Sequence, residues 1–313
     1  MIIEKKIIIF FFNFYLFLKK FFNQKNIYSI KGVAICSIAK LENLYIKEFV
    51  EYYRKLGINK IYLYDNNDKK GENFNEILKE EVKLKFVKII NIRGKQKFQI
   101  PSYNHCYQKH LNDYSWFLFI DIDEYLYINN NCSLNDFLNN KKFENCDNIH
   151  INYKDLGDSD LLTYDNRTLI ERFNKNFRYV ISMKSFVRGG LKNAKMNIHR
   201  SYNVNKFCNS EGQIENPGDY FTKSFTNKSA IINHYITKST EEFYKRLIKG
   251  WPHVKYFSLD YHNFINDRIK NYFNINKITK EKLNKLSILI KDKNLLNNLN
   301  EKLNNERKNL NKY

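Results

Sequence analysis

The segment FLFIDIDEYL, residues 117–126, joins an apolar strand to a run of acidic side chains. The apolar part, WFLFI at residues 116–120, has the length and composition of a buried strand. If that strand continued, Asp121 and Asp123 would point to the same face. Ionised carboxylates are costly to bury alone, and a hard divalent cation with oxygen ligands would offset that cost. The pattern favours a cation site at the end of this strand; the alternative is a turn with solvated acids.

Apolar runs and helical patterns alternate on both sides of this segment. Strands are predicted at residues 32–38, 60–64, 86–92 and 116–120, and helices at residues 42–56, 74–78 and 103–111. This alternation predicts an α/β fold with a mostly parallel sheet flanked by helices. Ligands of such sheets bind outside the carboxyl ends of the strands, which is where the acidic residues fall.

The order of elements is less regular beyond residue 126. Helices are predicted at residues 133–138 and 240–249, and strands at residues 148–153, 179–187, 196–199 and 230–235. From residue 260 onward the chain is basic and helical in pattern. We therefore expect an apolar and basic N-terminal segment (1–30), a main α/β domain (31–250) and a helical, basic C-terminal extension (251–313).

The composition excludes several classes of protein. Of 313 residues, 43% are hydrophobic and 16% aromatic, with only 10 Gly and 3 Pro, which excludes disordered and collagen-like chains. Lys and Arg number 53 and Asp and Glu 33, which gives a formal net charge of +20. This charge fits an anionic partner such as nucleic acid, a membrane surface or an acidic substrate, although we favour the alternative to such a partner. The alternative is a base composition that favours Lys, Asn and Ile codons.

The cysteines form no recognisable pattern. There are five of them and no CxxC pair, at Cys36, Cys106, Cys132, Cys146 and Cys208. An odd, scattered set predicts neither a disulfide framework nor a zinc site. We therefore expect reduced thiols and a cytoplasmic location.

The N-terminal segment contains the apolar run IIIFFFNFYLFL at residues 7–18, with two lysines on each side. Twelve residues are fewer than the roughly 20 that a helix needs to cross a bilayer. Three alternatives remain: a segment at the membrane surface, an element docked on the main domain, or a leader. We favour the first, which predicts peripheral contact at the cytoplasmic face of a membrane.

Five segments in order resemble those of a known enzyme family. They are AICSIAKLENLYIKEFVEYYRKLGINKIYLYDNND (34–68), QIPSYNHCYQKH (99–110), WFLFIDIDEYL (116–126), SFVRGG (185–190) and HYITKSTEEFYKRLIKG (234–250). In these segments the chain resembles glycosyltransferases with a GT-A fold, and is most similar to the family 2 and family 92-like group. The resemblance covers roughly residues 31–250.

The resemblance implies transfer of a sugar from a nucleotide-diphosphate sugar, a UDP-sugar, to a glycan or glycoconjugate acceptor, as in polysaccharide assembly. It also implies inversion at the anomeric carbon, and Mn²⁺ or Mg²⁺ to neutralise the diphosphate. The donor is expected to contact Lys40, Glu42, Asp65, Asp121 and Arg188. The metal ligands are expected to be Asp121, Asp123 and His234, with Glu124 supporting them and His199 as an alternative ligand.

The general base is the least specified part of the site. Inverting transfer needs a carboxylate beside the acceptor hydroxyl. The loop KDLGDSDLL at residues 154–162 offers Asp158 and Asp160 for this role, and Glu211 is a further candidate. Two other functions remain open: a basic nucleic-acid-binding protein, and a non-catalytic homologue that binds sugar nucleotides. Because no nucleic-acid recognition motif is visible, we expect no nucleic-acid partner.

Overall fold

The computed structural model describes residues 31–129, 131–249, 268, 271–272, 274–277, 279, 281–282 and 284–285. The predicted N-terminal segment and most of the C-terminal extension therefore lie outside the described residues. In the part of the chain that is described, no helix has the length and apolar character needed to span a bilayer.

Eleven strands and seven α-helices are assigned among the described residues. The strands are β1 (Val33–Ala39), β2 (Lys60–Asp65), β3 (Val87–Asn91), β4 (Trp116–Phe119), β5 (Glu124–Ile128), β6 (Asn148–Leu156), β7 (Phe177–Arg188), β8 (Lys195–Met196), β9 (Ser201–Tyr202), β10 (Phe207–Asn209) and β11 (Ala230–His234). The helices are α1 (Ile46–Leu56), α2 (Phe74–Ile77), α3 (Lys79–Lys83), α4 (Gln99–His110), α5 (Leu134–Leu138), α6 (Leu169–Arg172) and α7 (Thr240–Lys249).

One large sheet organises the molecule, in the order β3-β2-β1-β4-β7-β6-β11-β5, with β10 beside β6. β1 pairs in parallel with β2 and β4, β2 with β3, and β6 with β10 and β11. The pairs β4–β7, β6–β7 and β5–β11 are antiparallel. The prediction of an α/β fold with a mostly parallel sheet flanked by helices is confirmed.

Apolar side chains cover both faces of the sheet. Alternate residues of β1 separate onto the two faces, so that Val33 and Ile35 join one buried cluster and Ala34 and Cys36 the other. Helix α1 covers the first face with four buried side chains at helical spacing, Ile46, Phe49, Val50 and Tyr53. It ends at Gly57, whose φ of 101° suits a residue without a Cβ atom.

The acidic segment departs from its predicted geometry. The strand does not continue through Asp121 and Asp123; the chain turns there, and Glu124 begins β5. β5 then pairs with β11, at the other end of the sheet from β3. Both aspartates are therefore displayed on a turn, where backbone alternation no longer sets their direction. The predicted strand at residues 196–199 is likewise reduced to Lys195–Met196.

A disulfide joins Cys146 and Cys208, whose Cα atoms are 5.9 Å apart. The expectation that the thiols are reduced is therefore wrong for this pair. The two residues are 62 positions apart in the sequence, and they meet because β10 lies parallel to β6, with Cys208 beside Ile149. Disulfides persist mainly in oxidising compartments, so this bond weighs against the predicted cytoplasmic location.

Candidate active site

A cavity of about 750 Å³ opens at the carboxyl ends of the central strands. Its walls are the segments that follow β1, β2, β4 and β11, together with α4, α7 and one residue of the C-terminal extension. The charged residues lining it are Lys40, Glu42, Glu72, Asp121, Asp123, Lys238, Glu241, Glu242, Lys245, Arg246 and Arg268. This is the position expected for the ligand of an α/β sheet.

Asp121 is held from two directions. Its Oδ1 atom accepts hydrogen bonds from Gln99 Nε2 at 3.0 Å and from Tyr103 OH at 3.3 Å, two residues that are one turn apart on α4. Its Oδ2 atom lies 2.9 Å from Lys184 Nζ. Lys184 projects from β7, its side chain is 0% exposed, and it also lies 3.6 Å from Glu124 Oε2. Asp121 is thus a fixed carboxylate with an internal counter-ion.

Asp123 has a different environment. Arg246, on α7, donates a hydrogen bond to its Oδ2 atom. His234 Nε2 lies 3.8 Å from the same oxygen. Burial opposes ionisation of Asp123, but the nearby charges of Arg246, His234 and Lys238 outweigh it and lower the pKa of this carboxyl. These charges therefore favour the ionised form of Asp123.

His234 is oriented by a second carboxylate. It ends β11, and the parallel register with β6 places Asp155 beside it. Asp155 Oδ1 lies 2.9 Å from His234 Nδ1, and Arg178 donates to the other Asp155 oxygen at 3.2 Å. Burial lowers the pKa of His234, but Asp155 and Asp123 outweigh it and raise the pKa overall. With Nδ1 bound to Asp155, the Nε2 atom faces Asp123, as in histidines that bind a metal.

Glu124 lies beneath the acidic turn. Its Oε2 atom accepts a hydrogen bond from the backbone N–H of Asp121 at 3.0 Å, and its Oε1 atom accepts one from Tyr153 OH at 2.8 Å. Burial raises the pKa of Glu124 to about 7, with Lys184 opposing the shift and Asp121 adding to it. Glu124 thus contacts the backbone of the acidic turn from below, and its supporting role stays a prediction.

The fit of a divalent metal can be judged from these donors. Among the described residues there is no group of three His, Cys, Asp or Glu side chains arranged to hold a metal ion. Asp121 already pairs with buried Lys184, so it is poorly placed as a third ligand. Asp123 and His234 offer a carboxylate oxygen and an imidazole nitrogen, the donor types that a divalent cation accepts, 3.8 Å apart, and Arg246 donates to the same carboxylate oxygen.

Lys40 and Glu42 follow β1 and line the cavity. Lys40 Nζ lies 2.8 Å from Asp68 Oδ1, and Glu42 Oε2 lies 3.7 Å from Lys238 Nζ. Lys238 is itself 8% exposed, has a φ of 55°, and its Nζ lies 3.4 Å from the centre of the Tyr45 ring. A strained backbone that buries a cation beside a cavity is typical of functional sites.

Two predicted donor-binding residues lie outside the cavity lining. Asp65 is 1% exposed and accepts a hydrogen bond from the backbone N–H of Asn67, so it shapes a turn, and its neighbour Asn66 lines the cavity instead. The guanidinium of Arg188 donates to the carbonyl oxygens of Cys146 at 2.7 Å and Phe143 at 2.6 Å. Asp65 Oδ2 also lies 3.7 Å from Arg93 Nε, and the donor contacts expected for Asp65 and Arg188 stay predictions.

The predicted bases Asp158 and Asp160 also lie outside the lining. Lys282 Nζ lies 2.9 Å from Asp158 Oδ1 and 3.0 Å from Asp160 Oδ1. Asp158 is fully buried, and Tyr272 OH donates to its Oδ2 atom at 2.6 Å. Glu211, the further candidate, accepts hydrogen bonds from Ser229. Asp158 is thus held by Lys282 and Tyr272 away from the cavity, and the role of base predicted for Asp158 and Asp160 stays a prediction.

Several residues of the site were not predicted. Lys184 had a visible signal, because it is a lone lysine inside the apolar strand sequence SMKSFV. Gln99 and Tyr103 fall in a segment that carried the family resemblance, at the i, i+4 spacing of one helix face. Arg268 had no signal, because the basic C-terminal extension offers many equivalent cations.

Comparison with known proteins identifies a family. The model of glycosyltransferase family 92 matches residues 31–295 of this chain. A glycosyltransferase family 92 protein of Oryza sativa subsp. japonica is 26% identical over 109 residues, which are 35% of this chain and 18% of the relative. One from Ricinus communis is 24% identical over 109 residues, 35% of this chain and 19% of the relative. The match thus spans about a fifth of the length of these relatives.

Solved structures of low similarity were also found. The crystal structure of S. aureus TarS 1-349 has 11% sequence identity, covers 80% of this chain and 68% of that chain, and gives a TM-score of 0.38. The same protein in complex with UDP has 12% identity, covers 83% of this chain and 70% of that chain, and gives a TM-score of 0.39. Similarity at this level supports no inference about function.

Proposed function

Because the chain belongs to glycosyltransferase family 92 and is a glycosyltransferase, we propose that its cavity binds a nucleotide-diphosphate sugar, with UDP as the nucleotide. The observation that carries this proposal is the pairing of an acidic turn with a group of cations in one cavity. Asp121 and Asp123 lie on the turn, and Lys238, Arg246 and Arg268 line the same space. A diphosphate leaving group needs positive charge at this position.

The cations have a defined task in this reaction. Charge develops on the diphosphate as its bond to the sugar breaks, and fixed cations in a partly desolvated cavity stabilise it strongly. Arg246 offers a planar guanidinium that can donate two parallel hydrogen bonds to a phosphate. Lys238 supplies a point charge from the segment after β11. Lys40 and Glu42, which line the cavity on the β1 side, would contact the nucleotide.

We propose that Asp123 and His234 hold a divalent cation, Mn²⁺ or Mg²⁺, when donor is bound. The bound cation would act as a Lewis acid that neutralises the leaving diphosphate. Asp155 would keep His234 Nε2 directed at the site through its bond to Nδ1. Asp121 would remain with Lys184 and support the turn.

We further propose that transfer inverts the anomeric configuration and that the acceptor is a glycan or glycoconjugate. Inversion requires one carboxylate base at the acceptor hydroxyl. Since Asp158 and Asp160 lie outside the cavity lining, the base is to be sought among the cavity carboxylates such as Glu72 and Glu241. NMR of the product tests this proposal, and retention of configuration would exclude it.

Donor binding tests the proposed function directly. Calorimetric titration of UDP in Mn²⁺ should give saturable binding, and Asp123→Asn should weaken the metal-dependent part. Lys245→Gln is the matched control, because Lys245 lines the same cavity but its side chain is 62% exposed and pairs with Glu241. A hydrolysis screen over UDP- and GDP-sugars then identifies the sugar. Absence of hydrolysis and of UDP binding would overturn the proposed donor class.

Membrane contact is a separate proposal. The apolar run at residues 7–18 lies outside the described residues, and its lysine flanks suit an anionic surface. In a flotation assay with anionic vesicles, the full chain should float with the vesicles, whereas a variant that begins at residue 31 should not. Equal flotation of both would remove the proposal.

A further inference from the structure

The described residues between 268 and 285, here called the C-terminal segment, pack against the loop that follows β6. Lys282 Nζ lies 2.9 Å from Asp158 Oδ1, and the two side chains are 2% and 0% exposed. Asn276 Oδ1 accepts a hydrogen bond from the Asp158 backbone N–H at 2.6 Å. A buried ion pair of this kind fixes one geometry, because separating its members would leave a charge without a partner in the interior.

Close packing accompanies this ion pair. A Cβ atom on Gly157 would overlap Asn276 Oδ1 and would lie 3.0 Å from Ile275 Cγ2, so the loop approaches the segment more closely than other residues permit. The ring of Tyr272 stacks on Phe243 of α7 with 4.3 Å between centroids, and its hydroxyl lies 2.8 Å from Thr240 Oγ1. The C-terminal segment is therefore attached both to the β6 loop and to the helix that carries Arg246.

Arg268, at the start of this segment, lines the cavity. Burial and the neighbouring charge of Arg246 lower the pKa of Arg268 to about 10, although Asp123 favours its charged form. Arg246 and Arg268 thus present two guanidinium groups to the same cavity. A diphosphate suits this arrangement, since two guanidinium groups can each donate to a different phosphate.

We propose that the C-terminal segment completes the donor site: Arg268 binds the diphosphate, and the Asp158–Lys282 pair is the anchor that positions Arg268. This rests on the proposed function, namely that the donor is a nucleotide-diphosphate sugar. The proposal assigns a binding role to Arg268. It also gives a reason for the pairing of buried Asp158, in the loop after β6, with Lys282. Arg268 is the binding residue, whereas Asp158 and Lys282 act through it.

Binding of three probes to full-length variants tests the role of Arg268. Arg268→Gln should weaken UDP and inorganic pyrophosphate about 10- to 100-fold, the value of a charge-assisted hydrogen bond, and change UMP by less than about 3-fold. Lys277→Gln is the matched control, since Lys277 is an exposed lysine of the same segment. Arg268→Gln binding UDP and pyrophosphate like the unmodified protein would overturn the proposal.

The anchor is tested with a paired change that keeps the interior neutral. Lys282→Met alone risks unfolding, so Asp158→Asn/Lys282→Met removes both charges. The double variant should keep a cooperative thermal transition, lose roughly 5- to 20-fold in UDP affinity and change UMP affinity little. Lys282→Arg keeps a cation beside Asp158, so this variant should bind UDP more tightly than the double variant does. Unchanged UDP affinity in the folded double variant would refute the anchor.

These outcomes separate the two proposals. If the unmodified protein binds UDP and Arg268→Gln binds it equally, the donor class stands and the role of Arg268 fails. If the unmodified protein binds pyrophosphate but not UDP, and Arg268→Gln loses pyrophosphate, the role of Arg268 stands and the choice of nucleotide fails. Binding of neither probe by the unmodified protein overturns both proposals.

Discussion

Replacing Lys184 by methionine is the sharpest test of the site as described. Lys184 is fully buried and lies 2.9 Å from Asp121 and 3.6 Å from Glu124. Methionine fills a similar volume but leaves these carboxylates without their cation. Breaking a buried ion pair by removing one partner costs about 3–5 kcal/mol, far more than the pair contributes when both members are present.

The cost should appear in the free energy of unfolding. Urea denaturation followed by circular dichroism should show a loss of about 3–5 kcal/mol with an unchanged m-value. For a domain of this size the melting temperature would fall by roughly 6–20 °C. Lys184→Met/Asp121→Asn should recover part of the loss, because it removes one of the two uncompensated charges; coupling energies of about 0.5–3 kcal/mol are typical of such neighbours.

Lys88→Met is the control, since Lys88 is an exposed lysine on β3 and should change stability by less than about 0.5 kcal/mol. A loss below about 1 kcal/mol for Lys184→Met would refute the reasoning, because that is the range of a solvent-exposed pair. Full additivity of Lys184→Met and Asp121→Asn would also refute it, since the two side chains would then not interact.

Three further predictions concern other parts of the molecule. Gly157→Ala should destabilise the protein by about 1–3 kcal/mol in urea, because its Cβ atom overlaps Asn276; equal stability would contradict the close approach. Cys208→Ser should cost about 2–4 kcal/mol and make stability insensitive to reductant, whereas Cys132→Ser should change little, and intact-mass analysis should find one disulfide. Burial and nearby Lys184 lower the pKa of His199 to about 4. The unfolded chain therefore binds more protons, and stability falls as pH falls from about 6.5 to 4; His199→Gln should reduce this slope, and identical slopes would exclude the effect.

The fold was largely readable from local patterns. β1, β2, β4, α1 and α7 fall where apolar periodicity places them, because each buries side chains at the spacing of its own backbone. The exceptions come from tertiary pairing. The chain turns after β4 because β5 pairs with β11, a partner about a hundred residues away, and local alternation carries no trace of that pairing.

The site was less readable for the same reason. The residue types were recognisable on the acidic turn, but their partners come from distant segments: Lys184 is 63 positions from Asp121, and Lys282 is 124 from Asp158. Arg188 shows the converse. Its guanidinium could bind a phosphate, but in the structure it donates hydrogen bonds to the backbone carbonyl oxygens of Cys146 and Phe143.

The two aspartates of the turn are alike in sequence, but the cations that pair with them differ in exposure. Asp121 lines the cavity with 34% exposure and is compensated by Lys184, whose side chain is 0% exposed. Asp123 is compensated by Arg246, whose side chain keeps 30% exposure and lines the cavity. A phosphate entering the cavity can therefore compete with Asp123 for Arg246, whereas buried Lys184 stays with Asp121. Of a net charge of +20, the few cations that face this turn are the ones on which the proposed chemistry depends, and Arg246 is the more exposed of the two that pair with its aspartates.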